Sequence, residues 1–160
     1  VPFDVDEEGN VKKYTGKLKT SRQEVSLTSP GDTYKVFVYG TLKRGYGNHE
    51  LLADSKYLGK AHTLTKWLMI GEDRAFPYLL RPASEFEGGH YIQGEVYEVD
   101  ETTLGMLDFL EGVPTHYKRV RTTISYTDEK DSHEVVLVYV KAQVTASDLK
   151  QAYIGSWTAA

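Results

Sequence analysis

The sequence predicts an α+β chain, a closed or nearly closed sheet of about six strands flanked by short helices. Three observations carry that prediction. Six β-prone runs, residues 34–39, 58–69, 76–80, 91–99, 117–126 and 135–140, are separated by Gly, Pro or charged turns. Only one segment, opening at Asp100, carries both a strong helix start and a helix stop. The 160 residues, 40% hydrophobic and 26% charged, suffice for one core, fall short of two ordinary ones, and are too apolar for a disordered chain.

Residues 1–33 are dense in charge and turn formers, with little apolar periodicity, and are expected to form an N-terminal extension, partly irregular, with a short hairpin about Gly9-Asn10. The extension joins the domain, residues 34–160, through Ser29-Pro30-Gly31-Asp32. From Tyr34 the pattern is apolar or aromatic on both faces, the mark of a buried strand, and it stops at Gly40. Asn48 is expected to cap a short helix carrying Leu51 and Leu52. Asp100 caps the main helix, which Gly112 and then Pro114 terminate. Ser147-Asp148 is expected to cap a second short helix running through Leu149 to Tyr153.

Composition excludes several functions. A net charge of −4 disfavours a nucleic-acid partner, since Lys43, Arg44, Lys118, Arg119 and Arg121 form short patches rather than a stripe and are expected to lie on a solvated surface. The absence of Cys removes disulfides, thiol nucleophiles and thiolate metal sites. No apolar run approaches the roughly 20 residues of a membrane helix. The five histidines show no metal-ligand spacing, and no serine-hydrolase or phosphate-loop motif occurs. The expectation is a soluble, cytoplasmic protein acting on a small molecule, without metal or cofactor, membrane or nucleic acid. An organellar location after loss of a presequence stays open, because the chain starts at Val1 rather than Met.

Two segments carry candidate chemistry. In the main helix Leu104, Leu107 and Glu111 stand at i, i+3 and i+7, so the carboxylate lies on the stripe that faces the core. Desolvation and the negative end of the helix dipole both raise the pKa of an acid there, which suits a general base. The competing readings are that Glu111 bonds a neighbour or turns into water, or that Asp108, with similar geometry and more solvent access, takes the role. At the end of the first core strand, Gly40 lets a ligand approach the amides of Gly40, Thr41 and Leu42, which can hold a carboxylate or oxyanion. An ordinary strand exit is the plainer alternative. Tyr39, Tyr78, Tyr97 and Tyr117 can each lend a hydroxyl to the same cavity or simply pack in the core.

The segments Val38-Tyr39-Gly40-Thr41-Leu42-Lys43-Arg44-Gly45-x-x-Asn48-His49, Gly94-Glu95-Val96-Tyr97-x-Val99-Asp100 and Leu107-Asp108-x-Leu110-Glu111-Gly112-Val113-Pro114-x-x-Tyr117-x-Arg119, in this order, resemble the gamma-glutamylcyclotransferase-like superfamily. The resemblance is nearest to its gamma-glutamylamine cyclotransferase branch, which contains the plant avirulence-induced proteins. It covers residue 34 to about residue 157. It implies a small mixed β-barrel with a pocket at one end, Glu111 as the catalytic acid–base, and a substrate loop at Tyr39, Gly40, Thr41 and Leu42, with Tyr78 and Tyr117 beside it. The reaction implied is cyclisation of a gamma-glutamyl amine to 5-oxoproline with release of the amine. Cyclisation of gamma-glutamyl amino acids or glutathione-like peptides is one alternative, and a non-catalytic binding module on the same fold is another. Residues 75–78 and the long extension depart from the family pattern, which leaves the leaving group open.

Overall fold

The computed structural model describes residues 4–5, 11–13, 32–71 and 74–158. Strands β1 (Asp4–Val5) and β2 (Val11–Lys13) pair antiparallel, and the turn expected about Gly9-Asn10 lies outside the described residues. The rest of the expected extension, through residue 31, lies outside the described residues.

The domain is built from β3 (Thr33–Val38), β4 (Lys56–Ile70), β5 (Tyr78–Pro82), β6 (His90–Asp100), β7 (Tyr117–Tyr126) and β8 (Glu134–Lys141). All six predicted runs overlap strands, although Phe76 and Pro77 of the third run precede β5. Five of them close on themselves in the order β4-β6-β3-β8-β7, with β7 returning to β4, while β5 is added to the far half of β4. The barrel therefore closes with five strands rather than six. Every pairing is antiparallel except β3 with β8, which makes the barrel mixed.

Closure depends on β4, whose 15 residues pair with three neighbours in succession. Its register against β6 shifts between Tyr57 and Gly59 and again between His62 and Lys66, and such irregularities bend and twist a strand. At the second shift Thr63 is fully buried, and its hydroxyl donates to the Thr65 carbonyl and accepts from the Ile92 N–H. Those two bonds replace ladder bonds that the shift removes.

Alternation along β3 divides the core. Phe37 and Tyr39 join Ile92, Val96, Val136, Val138 and Val140 in the barrel interior, while Val36 and Val38 face outward against Leu104 and Leu107 of the main helix. Gly94 faces Phe37, where a Cβ would fall 2.7 Å from Phe37 Cζ and 2.4 Å from the Val38 carbonyl oxygen. The aromatic ring thus occupies space that any side chain at position 94 would need.

Helix α1 (Glu101–Glu111) closes over this outer face. Asp100 accepts from the Thr103 N–H at 2.7 Å as its N-cap, and Gly112, at φ 70°, ends it in the left-handed conformation that glycine adopts without penalty. Two other caps differ from expectation. Asn48 precedes a 3-10 helix, His49–Leu52, without capping it, because its amide reaches Thr41 Oγ1 at 2.8 Å instead. Helix α2 (Ala146–Leu149) is capped by Thr145, two residues earlier than expected, with Asp148 as the reciprocal acid of a capping box, and it ends at Leu149 rather than reaching Tyr153. No helix among the described residues is long and apolar enough to cross a membrane.

Candidate active site

A cavity of about 230 Å³ opens where β3 ends, between the C-terminus of α1 and residues Phe76 and Pro77. Its wall includes Tyr39, Gly40, Thr41, Leu42, Glu111 and Tyr117, so the structure brings together most of the side chains and amides singled out in the sequence. Tyr97 is not among them, its hydroxyl donating to Glu95 Oε1 at 2.9 Å, and Tyr78 is the other exception. Its ring packs against Tyr117 and His116, with centroids 5.6 Å from each, behind the lining rather than in it.

The two segments meet because α1 stops sharply. Past Gly112 the chain folds back, with the His116 N–H donating to the Gly112 carbonyl at 2.9 Å, and starts β7 at once. Glu111 and Tyr117 are thereby placed on one wall. The Tyr117 hydroxyl donates to the Pro77 carbonyl at 3.0 Å, and the Tyr39 hydroxyl donates to the Tyr139 carbonyl at 2.6 Å. Both hydroxyls are committed to the protein. Burial raises the pKa of each, so both remain donors.

Opposite them the loop after β3 is braced from within. The Lys43 N–H donates to the Gly40 carbonyl, the Asn48 N–H to the Thr41 carbonyl, and His49 Nδ1 lies 3.0 Å from the Leu42 carbonyl oxygen. These contacts engage the carbonyls. The N–H groups of Gly40, Thr41 and Leu42 donate to no group among the described residues. Gly40 itself needs no unusual backbone angle; it is small because Pro77 presses on it, with a Cβ falling 3.0 Å from Pro77 Cγ and Cδ.

Glu111 keeps partial solvent contact through the cavity mouth but is otherwise surrounded by protein. Desolvation, and then the negative charge of Asp108, push its carboxyl up to about 7. Asp108 is the opposite of what helical spacing alone implies. It is 0% exposed, with Arg119 Nη1 at 2.7 Å from one oxygen and the Tyr139 hydroxyl at 2.6 Å from the other. Arg119 is accordingly no surface cation, its side chain being only 12% exposed. Lys43 and Arg44 are not simply solvated either, since Lys43 Nζ donates to the Trp157 carbonyl and the Arg44 guanidinium lies 3.8 Å from the centre of the Tyr57 ring.

Sequence reasoning missed His116, Phe76, Asn48, Leu110 and Tyr139 as lining residues. Only Phe76 had a signal, as part of the divergent segment at residues 75–78. No cluster of three or more His, Cys, Asp or Glu able to hold a metal occurs among the described residues.

Fold and cavity define a class, small closed barrels with a ligand-sized hollow over one end, where a buried carboxyl faces main-chain N–H groups that have no partner among the described residues. Residues 36–159 match the family described as gamma-glutamyl cyclotransferase, AIG2-like, and the chain belongs to that family. It is 42% identical over 103 residues to the gamma-glutamylaminecyclotransferase of Bos taurus, covering 61% of this chain and 60% of that one. It is 37% identical over 102 residues to the gamma-glutamylaminecyclotransferase of Homo sapiens, covering 59% of this chain and 64% of that one. The chain thus spans somewhat less than two thirds of these curated relatives. The crystal structure of an AIG2-like protein from Mus musculus superposes with a TM-score of 0.70 at 30% identity, covering 79% of this chain and 88% of that one.

Proposed function

We propose that this protein is a gamma-glutamylamine cyclotransferase. The α-amine of the substrate attacks its own γ-carbonyl carbon, a C–N bond closes the five-membered ring of 5-oxoproline, and the original γ-amide C–N bond breaks to release a free amine. The amine arrives as an ammonium, and Glu111 takes its proton before or during attack. The same carboxyl returns that proton to the departing nitrogen, and the second proton, lost as the ring nitrogen becomes an amide, follows the same route, so the amine leaves as an ammonium and no water is consumed. The amides of Gly40, Thr41 and Leu42 hold the substrate carboxylate or the developing oxyanion. Tyr39 and Tyr117 fix the walls, and Tyr78 supports Tyr117 from behind.

The observation that carries this reading is one carboxyl pushed up to about 7 in the same small cavity as the Gly40, Thr41 and Leu42 backbone, whose N–H groups have no partner among the described residues. Cyclisation is intramolecular, so a wall that holds the glutamyl head folded supplies much of the acceleration. The volume of about 230 Å³ lies below the roughly 300–1,000 Å³ of drug-sized sites, which suits a glutamyl head and leaves the amine portion at the mouth. There the lining is Phe76, Leu110 and His116, with no Lys or Arg among the described residues. A leaving group with its own carboxylate has no cation to meet, which favours amines over gamma-glutamyl amino acids.

Release of 5-oxoproline from a panel of gamma-glutamyl amines, gamma-glutamyl amino acids and glutathione tests the proposal. Turnover is expected on the amines first. Failure to form 5-oxoproline from any member refutes it.

A further inference from the structure

We propose that Asp108, clamped by Arg119 and Tyr139, is a positioning residue for Glu111, a fixed negative charge one helical turn away that keeps the neighbouring carboxyl ready to accept a proton. This rests on the cyclotransferase reading above. A carboxylate buried to 0% exposure is costly unless paired, and here both oxygens act as acceptors, one toward a guanidinium and one toward a hydroxyl. That is the bonding pattern of an ionised group. The three partners come from α1, β7 and β8, and breaking a buried pair of this kind leaves an uncompensated charge in the interior, so the charge does not wander.

The clamp also touches the cavity. The ring of Tyr139 lines it, the Tyr139 hydroxyl donates to Asp108, and the Tyr139 carbonyl accepts from Tyr39 on the opposite wall. Among the described residues, the other groups around Glu111 do not supply the field. Tyr39 from the end of β3, Tyr117 from β7 and Tyr139 from β8 all remain protonated, because burial raises each of them. Asn48, Phe76 and Pro77 bring no charge, and His116 at the mouth is the other titratable member of the lining. Asp108 is thus the fixed anion next to Glu111, and it acts in the direction that raises a carboxyl pKa.

A purely architectural ion pair predicts something different from a tuned one. With Asp108→Asn the fixed anion is gone and Arg119 is left unbalanced, so the Glu111 midpoint falls. With Arg119→Gln, or with Tyr139→Phe, the Asp108 charge is less compensated, so the midpoint rises. Shifts on the order of one pH unit are expected. They are read in two ways: as the acidic limb of kcat/KM against pH, and as the ¹³C carboxyl titration of Glu111, its resonance identified by its loss in Glu111→Gln. Opposite displacements for Asp108→Asn and Tyr139→Phe support the inference. Should the buried-pair variants fail to fold, Tyr139→Phe, which deletes one oxygen, still gives the upward shift. Wild-type turnover combined with unmoved midpoints, or with displacements of one sign, overturns the inference alone. Absence of turnover by the wild type overturns the reading on which it rests.

Discussion

Replacing Glu111 with Gln is expected to cost activity and add stability, and the second effect has a definite dependence on pH. The unfolded carboxyl titrates near 4.5 and the folded one at about 7. Below pH 4.5 both states are neutral, and wild type and variant are alike. Between those values the unfolded chain ionises while the folded one does not, so the wild type loses about 1.4 kcal/mol per pH unit. Above 7 the deficit is complete, at most about 3 kcal/mol, residual solvent contact at the mouth lowering it. For a domain of this size that corresponds to a Tm higher by roughly 6–12 °C in the variant. Urea unfolding followed through Trp67 and Trp157, both in the core, at about pH 4.5 and about pH 8 measures the gap. Release of 5-oxoproline by the same preparation is expected to fall ~10²-fold or more. A stability difference that does not change with pH, or a wild type more stable than the variant at high pH, would refute the account of a desolvated carboxyl.

Gly40→Val places a branched side chain against Pro77, 3.0 Å from where a Cβ would stand, and overpacking of about 1–3 kcal/mol is expected to narrow the cavity and weaken 5-oxoproline binding about tenfold or more. Calorimetric titration checks this, and an unchanged Kd would remove the loop from the site. Asp100→Ala removes the acceptor for the Thr103 N–H and is expected to lower stability by about 1 kcal/mol. A urea midpoint equal to that of the wild type would show that α1 is held by its packing alone.

Elements and their order were legible because period and punctuation are local properties. β3 alternates Phe37 and Tyr39 with Val36 and Val38, and α1 begins at an Asp and stops at a Gly, whatever surrounds them. Glu111 was legible for the same reason, standing on the stripe of Leu104 and Leu107. Asp108 was not. Its burial depends on Arg119 and Tyr139, which come from other strands, and no spacing within the helix encodes them. The capping role expected of Asn48 failed similarly, since the nearer claim on its amide came from Thr41 across the loop. Tyr78 and Tyr117 were indistinguishable by type, and only the folded chain decided which of them lines the cavity.

The sequence by itself determined six strands, one well-capped helix and the residues at the two segment ends that meet in the site, because hydrophobic period, caps and turns act between near neighbours. Only the tertiary structure decided that five strands close while the sixth is appended, that Asp108 is sealed while Glu111 lines the cavity, and that three main-chain N–H groups of the same hollow have no partner among the described residues. Those outcomes follow from desolvation and pairing between distant segments, and such energies exist only once the chain has brought the segments together.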